Sequence, residues 1–311
     1  MTEQEHLWER RVITKLAQAS LKEQKRARRW SIFFKFLVFA YITFILYMFS
    51  EPDLSTATIA NHSALVDLQG LIADGESASA DNMVAALRSA FEDEKTQGVI
   101  LRINSPGGTP VQAGYIYDEI VRLRKKYPDI PLYAVVSDMA ASGGYYVASA
   151  ADKIYVSNSS IVGSIGVRIN NFGVVDAMEK LGVESRTISA GEHKTMLDPF
   201  APADEEARVH LQSMVDEIHE QFIDAVRKGR GDRLQEFDEL FSGLIWTGEK
   251  ALELGLADNI GSASYVAREV IGAEDIVEFS VEEDALERLI GRFGASITKV
   301  LSKEVLSPSL N

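Results

Sequence analysis

The chain has 311 residues, is 46% hydrophobic and carries a formal charge of −14. That length supports one sizeable core with appendages, and the acidity denies nucleic acid the basic footprint that phosphate binding needs. There is no cysteine, which excludes disulfides and thiolate metal sites and leaves the compartment undecided.

The charge is uneven along the chain. In the first thirty residues Arg10, Arg11, Lys15, Lys22, Lys25, Arg26, Arg28 and Arg29 outnumber Glu3, Glu5, Glu9 and Glu23. From Ile32 to Phe49 the sequence is apolar apart from Lys35, Thr43 and the tyrosines, a run of about 18 residues that just crosses a hydrocarbon core of roughly 30 Å. Lys35 lies one turn inside, where it can snorkel to the headgroups, and Trp30 and Tyr47 fall near the two interfaces. Basic residues precede the run and Glu51 and Asp53 follow it, so the positive-inside rule expects a cytoplasmic tail over 1–30, a signal anchor over 31–50 and the remainder across the membrane. A cleaved signal peptide is disfavoured by the long tail and the lack of a clear Ala-x-Ala site. A helical tail along the membrane surface is expected over Glu3 to Arg29. Residues 51–63 read as a linker.

The alternating run Leu65–Ile72 predicts a strand, and Ser79 or Asp81 stands at the cap of a helix carrying Met83, Val84, Leu87 and Phe91. A second strand, Gly98–Ile103, runs into Asn-Ser-Pro-Gly-Gly-Thr-Pro at 104–110 and then a helix ending in Arg122, Arg124, Lys125 and Lys126. A third, Leu132–Val136, leads to Ala-Ala-Ser-Gly-Gly-Tyr-Tyr at 140–146, where a helix opens with Ser142 in its first turn. A hydroxyl so placed sits among unpaired N–H groups at the positive end of a helix, good ground for a nucleophile. Taken alone, Ala-Ser-Gly-Gly is explained by turn chemistry. The second glycine corner shifts the balance, because one corner can supply a hydroxyl and the other the donors for an oxyanion. Neither corner is a Walker A loop or a dinucleotide fingerprint.

Strand, helix, strand, helix, strand in this order predicts parallel βαβ units. Lys153–Val156 and Ile161–Val167 continue the sheet, a short helix around Val174–Leu181 closes at Gly182, and Glu184–Ile188 is strand-like. A long amphipathic helix covers Asp204 to Lys228. Trp246–Leu256 holds a capped short helix, Leu256–Ile260 a strand, and a further helix reaches about Ile271. Ile276–Ser280 predicts one more strand and Ala285–Leu301 an amphipathic helix.

A serine nucleophile needs a base. His6, His62, His193, His210 and His219 offer no triad context, and His210 and His219 are expected to face solvent. The alternative is a lysine neutralised by burial. Lys194, in the loop Ser189–Phe200, reads on its own as a solvated loop lysine. Asp258 and Asn259 look like ligands but have no paired partner, so no metal site is expected.

Asn-Ser-Pro-Gly-Gly at 104–108, Ala-Ala-Ser-Gly-Gly-Tyr-Tyr at 140–146, Ala-Asp-Lys-Ile at 151–154, Gly-Ser-Ile-Gly-Val at 163–167 and Gly-x-x-Lys at 191–194 before Pro199-Phe200 resemble the signal peptide peptidase A family. The similarity is to its short, single-repeat, membrane-anchored form and covers about Leu65 to Ile271. It implies an α/β, ClpP/crotonase-like fold of stacked ββα units in a superhelix over 64–275, preceded by a transmembrane helix and followed by a C-terminal strand and amphipathic helix over 276–311. It implies that Ser142 is the nucleophile, Lys194 the general base, and the Gly108 and Gly143 N–H groups the oxyanion hole, with Gly107 and Ser164 lining the substrate groove. Thr109 and Pro110 stand where small residues or valine are expected, which leaves groove details open.

The implied activity is that of a serine endopeptidase, without metal or cofactor, acting on membrane-associated peptides, notably signal-peptide remnants. The implied setting is the bacterial inner membrane, single pass, with the catalytic domain periplasmic. Family members of this length assemble as homo-oligomers, commonly octameric rings, in which adjacent subunits supply serine and lysine; spacing alone leaves open whether Lys194 meets Ser142 of its own chain. Three other readings stand beside this one: a crotonase-like acyl-CoA enzyme on the same architecture, an inactive membrane scaffold, and a regulated protease of intact membrane proteins.

Overall fold

The computed structural model describes residues 3–49 and 61–280. The expected linker over 51–63 lies mostly outside the described residues, and the C-terminal helix over Ala285–Leu301 lies wholly outside them. Two units separate near residue 59. The first contains a single helix, α1 (Glu3–Phe49), with Trp30 packed on Phe33 edge-on and on Phe34 in a stack. Among the described residues no helix is long and apolar enough to cross a membrane. The expected span runs on to Phe49, and its side chains beyond Phe44 are outside the described residues.

The second unit begins with β1 (His62–Ile72), three residues earlier than the apolar alternation predicts. In chain order there follow α2 (Ala80–Glu92), β2 (Thr96–Gly108), α3 (Pro110–Lys126), β3 (Leu132–Ala141), α4 (Gly143–Ala148), β4 (Lys153–Val156), β5 (Ile161–Gly163), α5 (Val175–Leu181) and α6 (Glu205–Arg230). Then come β6 (Ile245–Thr247), α7 (Gly248–Glu253), β7 (Asn259–Ile260), a helical turn α8 (Ala263–Tyr265) continuing as π-helix to Ile271, and β8 (Ile276–Glu278). The strands form one sheet in the order β6-β5-β3-β2-β1-β8, with β4 beside β3 and β7 beside β4. Every pairing is parallel except β5 with β6.

The strands read as near-continuous apolar runs because both sheet faces are covered. Ala64, Val66, Leu68, Val99, Leu101, Ile103, Ala134 and Val136 face the main core with Leu87 and Phe91 of α2, Ile116, Ile120 and Leu123 of α3 and Tyr145 of α4. The alternate residues Leu65, Ile100 and Val135 face the other way, onto Tyr155, Val266 and Ala267. A one-residue slip of any central strand would exchange the two sets, so the two-sided burial also fixes register.

Helix ends follow the charge and capping pattern. Asp204 caps α6 by accepting from the Glu206 and Ala207 N–H groups, and Arg227, Lys228 and Arg230 occupy its last turn. Ser79 stands at the N-cap of α2 without using its side chain; the Gln112 Oε1 accepts from Ala80 N instead, at 2.6 Å. Gly182, in the left-handed region at φ 69°, closes α5 as predicted.

Several expectations are corrected. Glu184–Ile188 forms no strand and is exposed: among the described residues it pairs with none of the sheet's strands, and β-branched composition without a partner makes no sheet. β5 stops at Gly163, because Ser164 turns away at φ 53°. His219 does not simply face solvent; its Nε2 lies 3.1 Å from the Ile165 carbonyl oxygen and the ring is half-buried.

Two ion-pair groups fasten the outer layer, one buried and one with a buried carboxylate between half-exposed arginines. The Arg230 guanidinium, almost wholly buried, donates from Nε to the Gly255 carbonyl at 2.8 Å and from both terminal nitrogens to the Asp258 carboxylate at 2.8 and 2.9 Å. Burial pushes the Asp258 carboxyl up, but Arg230, the Ile154 N–H and Arg233 outweigh it and hold it below its ordinary range. Glu119 of α3 accepts from Arg122 at 2.7 Å and from Arg88 of α2 at 2.6 Å. The Arg122 bonds do most to bring its carboxyl down to about 2, against the opposing effect of burial, and Arg88 adds to them.

A carboxyl whose folded pKa is depressed stabilises above its unfolded pKa and loses that contribution as pH falls through the folded value. Glu119→Gln should therefore lower unfolding free energy by about 1–3 kcal/mol near neutrality, and the gap to the parent should close between about pH 4.5 and 2. Urea unfolding at stepped pH checks this; a gap that is the same at pH 7 and pH 2.5 would refute it.

Candidate active site

Three chain reversals meet at the C-terminal ends of β2, β3 and β5. At the end of β3, Ser142 takes φ 52°, ψ −124° before α4 begins. Among the described residues the only non-glycine residues with positive φ are Ser142 and Ser164, and such backbone typically costs of order 1–3 kcal/mol, so it must be held by its surroundings. The Ser142 N–H donates to the Gly163 carbonyl at 2.8 Å, and its own carbonyl accepts from the Tyr145 and Tyr146 N–H groups at 2.9 Å. Tyr145, fully buried, donates its hydroxyl to the Leu256 carbonyl at 2.9 Å and so pins the helix from below. Ser164 in turn donates its N–H to the Leu244 carbonyl at 2.7 Å.

The corner at the end of β2 lies directly against this elbow. Gly107 has φ 104°, and a Cβ there would stand 2.7 Å from the Ser142 Cβ and 2.8 Å from the Gly143 nitrogen. A Cβ on Gly143 would stand 3.2 Å from the Gly108 nitrogen, and one on Gly108 would strike the Ile72 carbonyl oxygen at 1.9 Å. The two corners can touch only because these positions have no side chains. The Gly107–Gly108 corner therefore packs directly on Ser142 and Gly143.

Ser142, Gly107, Gly108, Gly143 and Ser164 all line one cavity of about 750 Å³. Leu71, Pro110, Ala113, Tyr146, Ile218 and Phe222 contribute apolar wall, and Arg168, Gln221 and Ser242 polar rim. The α6 residues Ile218, Gln221 and Phe222 were missed by sequence reasoning. Ile218 and Phe222 belong to a stripe that reads as core packing, and no local signal says that the helix crosses a cleft 80 residues upstream in sequence. Arg168, Ser242 and Gly243 were missed for the same reason.

Lys194 is not among the residues lining that cavity. It lies exposed in a turn, its N–H donating to the Gly191 carbonyl at 3.2 Å. Its segment is unusual: α5 buries no residue, and Phe172, Leu181 and Ile188 are 71, 78 and 99% exposed. Among the described residues no cluster of His, Cys, Asp and Glu could hold a metal ion, and the Asp258 carboxylate is taken up by Arg230 and Arg233.

Comparison with known proteins fits this geometry. Residues 124–275 match peptidase family S49. A putative protease of Synechocystis is 33% identical over 71% of this chain and 79% of its own length. The chain belongs to peptidase family S49. A putative signal peptide peptidase SppA of Enterococcus faecium is 37% identical over 63% of the chain, and a Brucella abortus protein named a Na⁺/H⁺ antiporter is 44% identical over 60%. The chain spans 59% of the Enterococcus protein and a quarter of the Brucella one. The S49 match contains Ser142, Ser164 and Lys194 and begins after the Gly107–Gly108 corner, which joins the site only through the sheet.

The close approach at Gly108 makes a sharp expectation. Gly108→Ala should cut the rate at which a serine-directed phosphonate labels Ser142 by at least about 10²-fold, since its nitrogen must move. Gly114→Ala, in α3 with open space around its Cβ, should leave labelling unchanged and add up to about 1 kcal/mol of stability. Equal labelling of the two variants would contradict the assignment.

Proposed function

We propose that this chain is a membrane-anchored serine endopeptidase that hydrolyses membrane-associated peptides, signal-peptide remnants foremost, with Ser142 as nucleophile and Lys194 as general base. The observation that carries the reading is the strained Ser142 elbow beside the Gly108 and Gly143 nitrogens, in an apolar-walled cleft of an S49 chain. The parallel two-sided sheet supports the finer fold reading, a ClpP/crotonase-like superhelix of stacked ββα units.

In the proposed reaction the neutral Lys194 amine takes the Ser142 hydroxyl proton as the oxygen attacks the scissile carbonyl. The Gly108 and Gly143 N–H groups donate to the oxyanion. Collapse breaks the C–N bond, Lys194 passes its proton to the leaving amine, and an acyl-enzyme ester remains. Water then attacks that ester, giving one proton to Lys194, which returns it to Ser142 as the acid leaves. Leu71, Ala113, Ile218 and Phe222 along the cleft suit apolar or small substrate side chains, the kind signal-peptide remnants carry.

A lysine serves as a general base only in its unprotonated form, which burial favours, and Lys194 is exposed among the described residues. The reading therefore includes a homo-oligomer, octameric by family resemblance, in which the arm bearing Phe172, Leu181 and Ile188 is covered by a neighbour and brings Lys194 to that neighbour's Ser142. It also includes a single-pass anchor over 31–50 in a bacterial inner membrane with the amino terminus cytoplasmic, supported by the basic tail and the apolar run that follows it. Tethering at the bilayer would raise the effective concentration of protease toward membrane-borne peptides.

Ser142→Ala and Lys194→Ala should each reduce hydrolysis of a fluorogenic apolar peptide by at least about 10³-fold in detergent. Mixing the two variants should restore part of the activity; a mixture as inactive as its components would remove the shared dyad. Deleting residues 1–50 should move the protein from the membrane pellet to the supernatant, and full-length protein already in the supernatant would remove the anchor.

A further inference from the structure

Where β1 and β2 part, their ladder is irregular. Gln69 pairs with Asn104 and Leu71 with Gly107, so Ser105 and Pro106 together stand opposite Gly70 alone, the two-against-one pattern of a bulge. Gly70, at φ 83°, has no partner in that register, and its carbonyl and the Gly107 N–H beside the bulge both call for hydrogen bonds. One side chain serves both. The Ser105 hydroxyl donates to the Gly70 carbonyl at 2.6 Å and accepts from the Gly107 N–H at 3.1 Å, and Ser105 is fully buried.

The same residue touches the nucleophile's helix. A Cβ on Gly144 would stand 3.0 Å from the Ser105 carbonyl oxygen and 3.3 Å from its Cβ, so the first turn of α4 rests on Ser105. The peptide that follows Gly107 carries the Gly108 nitrogen. With the Gly107 N–H tied down, the peptide leading into Gly107 is held; without it, a glycine pair next to a bulge has more orientations open to it.

We propose that Ser105 is a positioning residue for the oxyanion corner: its buried hydroxyl clamps the Gly70–Gly107 bulge and thereby aims the Gly108 N–H at the oxygen that becomes charged during attack by Ser142. The inference rests on the serine-peptidase reading above and extends it by a residue that does not line the cleft. Its effect belongs to the transition state, since the donor matters most when charge develops.

The test compares Ser105→Ala, Ser105→Thr and Ser142→Ala with the parent for hydrolysis of the fluorogenic apolar peptide, alongside thermal unfolding. Ser105→Ala is expected to lower kcat about 10- to 100-fold with KM within about twofold. Ser105→Thr, which keeps the hydroxyl, is expected to recover at least half of that loss on a logarithmic scale. If Ser105→Ala does not fold, Ser105→Cys carries the same expectation, because a thiol fills the space but bonds weakly. A kcat within threefold of the parent, a loss carried by KM, or a Thr variant no better than Ala at equal thermal stability would overturn the positioning role. If instead the parent has no activity that Ser142→Ala removes, the peptidase reading fails and this role falls with it.

Discussion

The site depends on a contact between two backbones that no side chain could survive. Gly107 lies so close to the Ser142 Cβ and the Gly143 nitrogen that the ends of β2 and β3 form a single surface. Parallel pairing of β2 with β3 brings those ends to the same edge of the sheet, and the glycines let them close up. A serine held at positive φ and the proposed oxyanion donors beside it are thereby fixed before any substrate arrives, the preorganisation that the proposed mechanism requires.

The strain at Ser142 is balanced by what lies beneath it. Ala140 and Ala141 are buried in β3, Tyr145 is anchored to the Leu256 carbonyl, and the segment carrying Leu256 is itself held by Arg230 through Gly255 and Asp258. The route from α6 through the buried ion pair to α4 ties the long helix to the elbow, and the same helix presents Ile218 and Phe222 to the cleft. One element thus serves core, network and substrate wall.

Against this well-packed half stands the arm carrying α5 and Lys194. Its large apolar side chains are uncovered, and the expected strand over Glu184–Ile188 does not form. Among the described residues nothing covers Phe172, Leu181 or Ile188, and exposed apolar side chains of this size mark an interaction surface. The two halves of the proposed dyad therefore differ in kind: Ser142 is held by buried neighbours, and Lys194 is exposed among the described residues.

Much of this was legible beforehand, because it depends on local pattern. Apolar runs bounded by turns located β1, β2 and β3; Asp204, Gly182 and the basic ends of α3 and α6 marked helix limits; and glycines next to Ser142 and at 107–108 pointed to two corners of one site. These signals are local because strand burial, capping and positive φ are properties of a residue and its near neighbours. What needed the tertiary structure was everything set by elements distant in sequence. Examples are the α6 wall at Ile218 and Phe222, the turn of Ser164 away from the sheet, the pairing of β8 beside β1, and the Ser105 clamp across a bulge. A hydroxyl bridging Gly70 and Gly107 has no sequence signature, since its partners are backbone groups whose need for a bond arises only once two strands fall out of register.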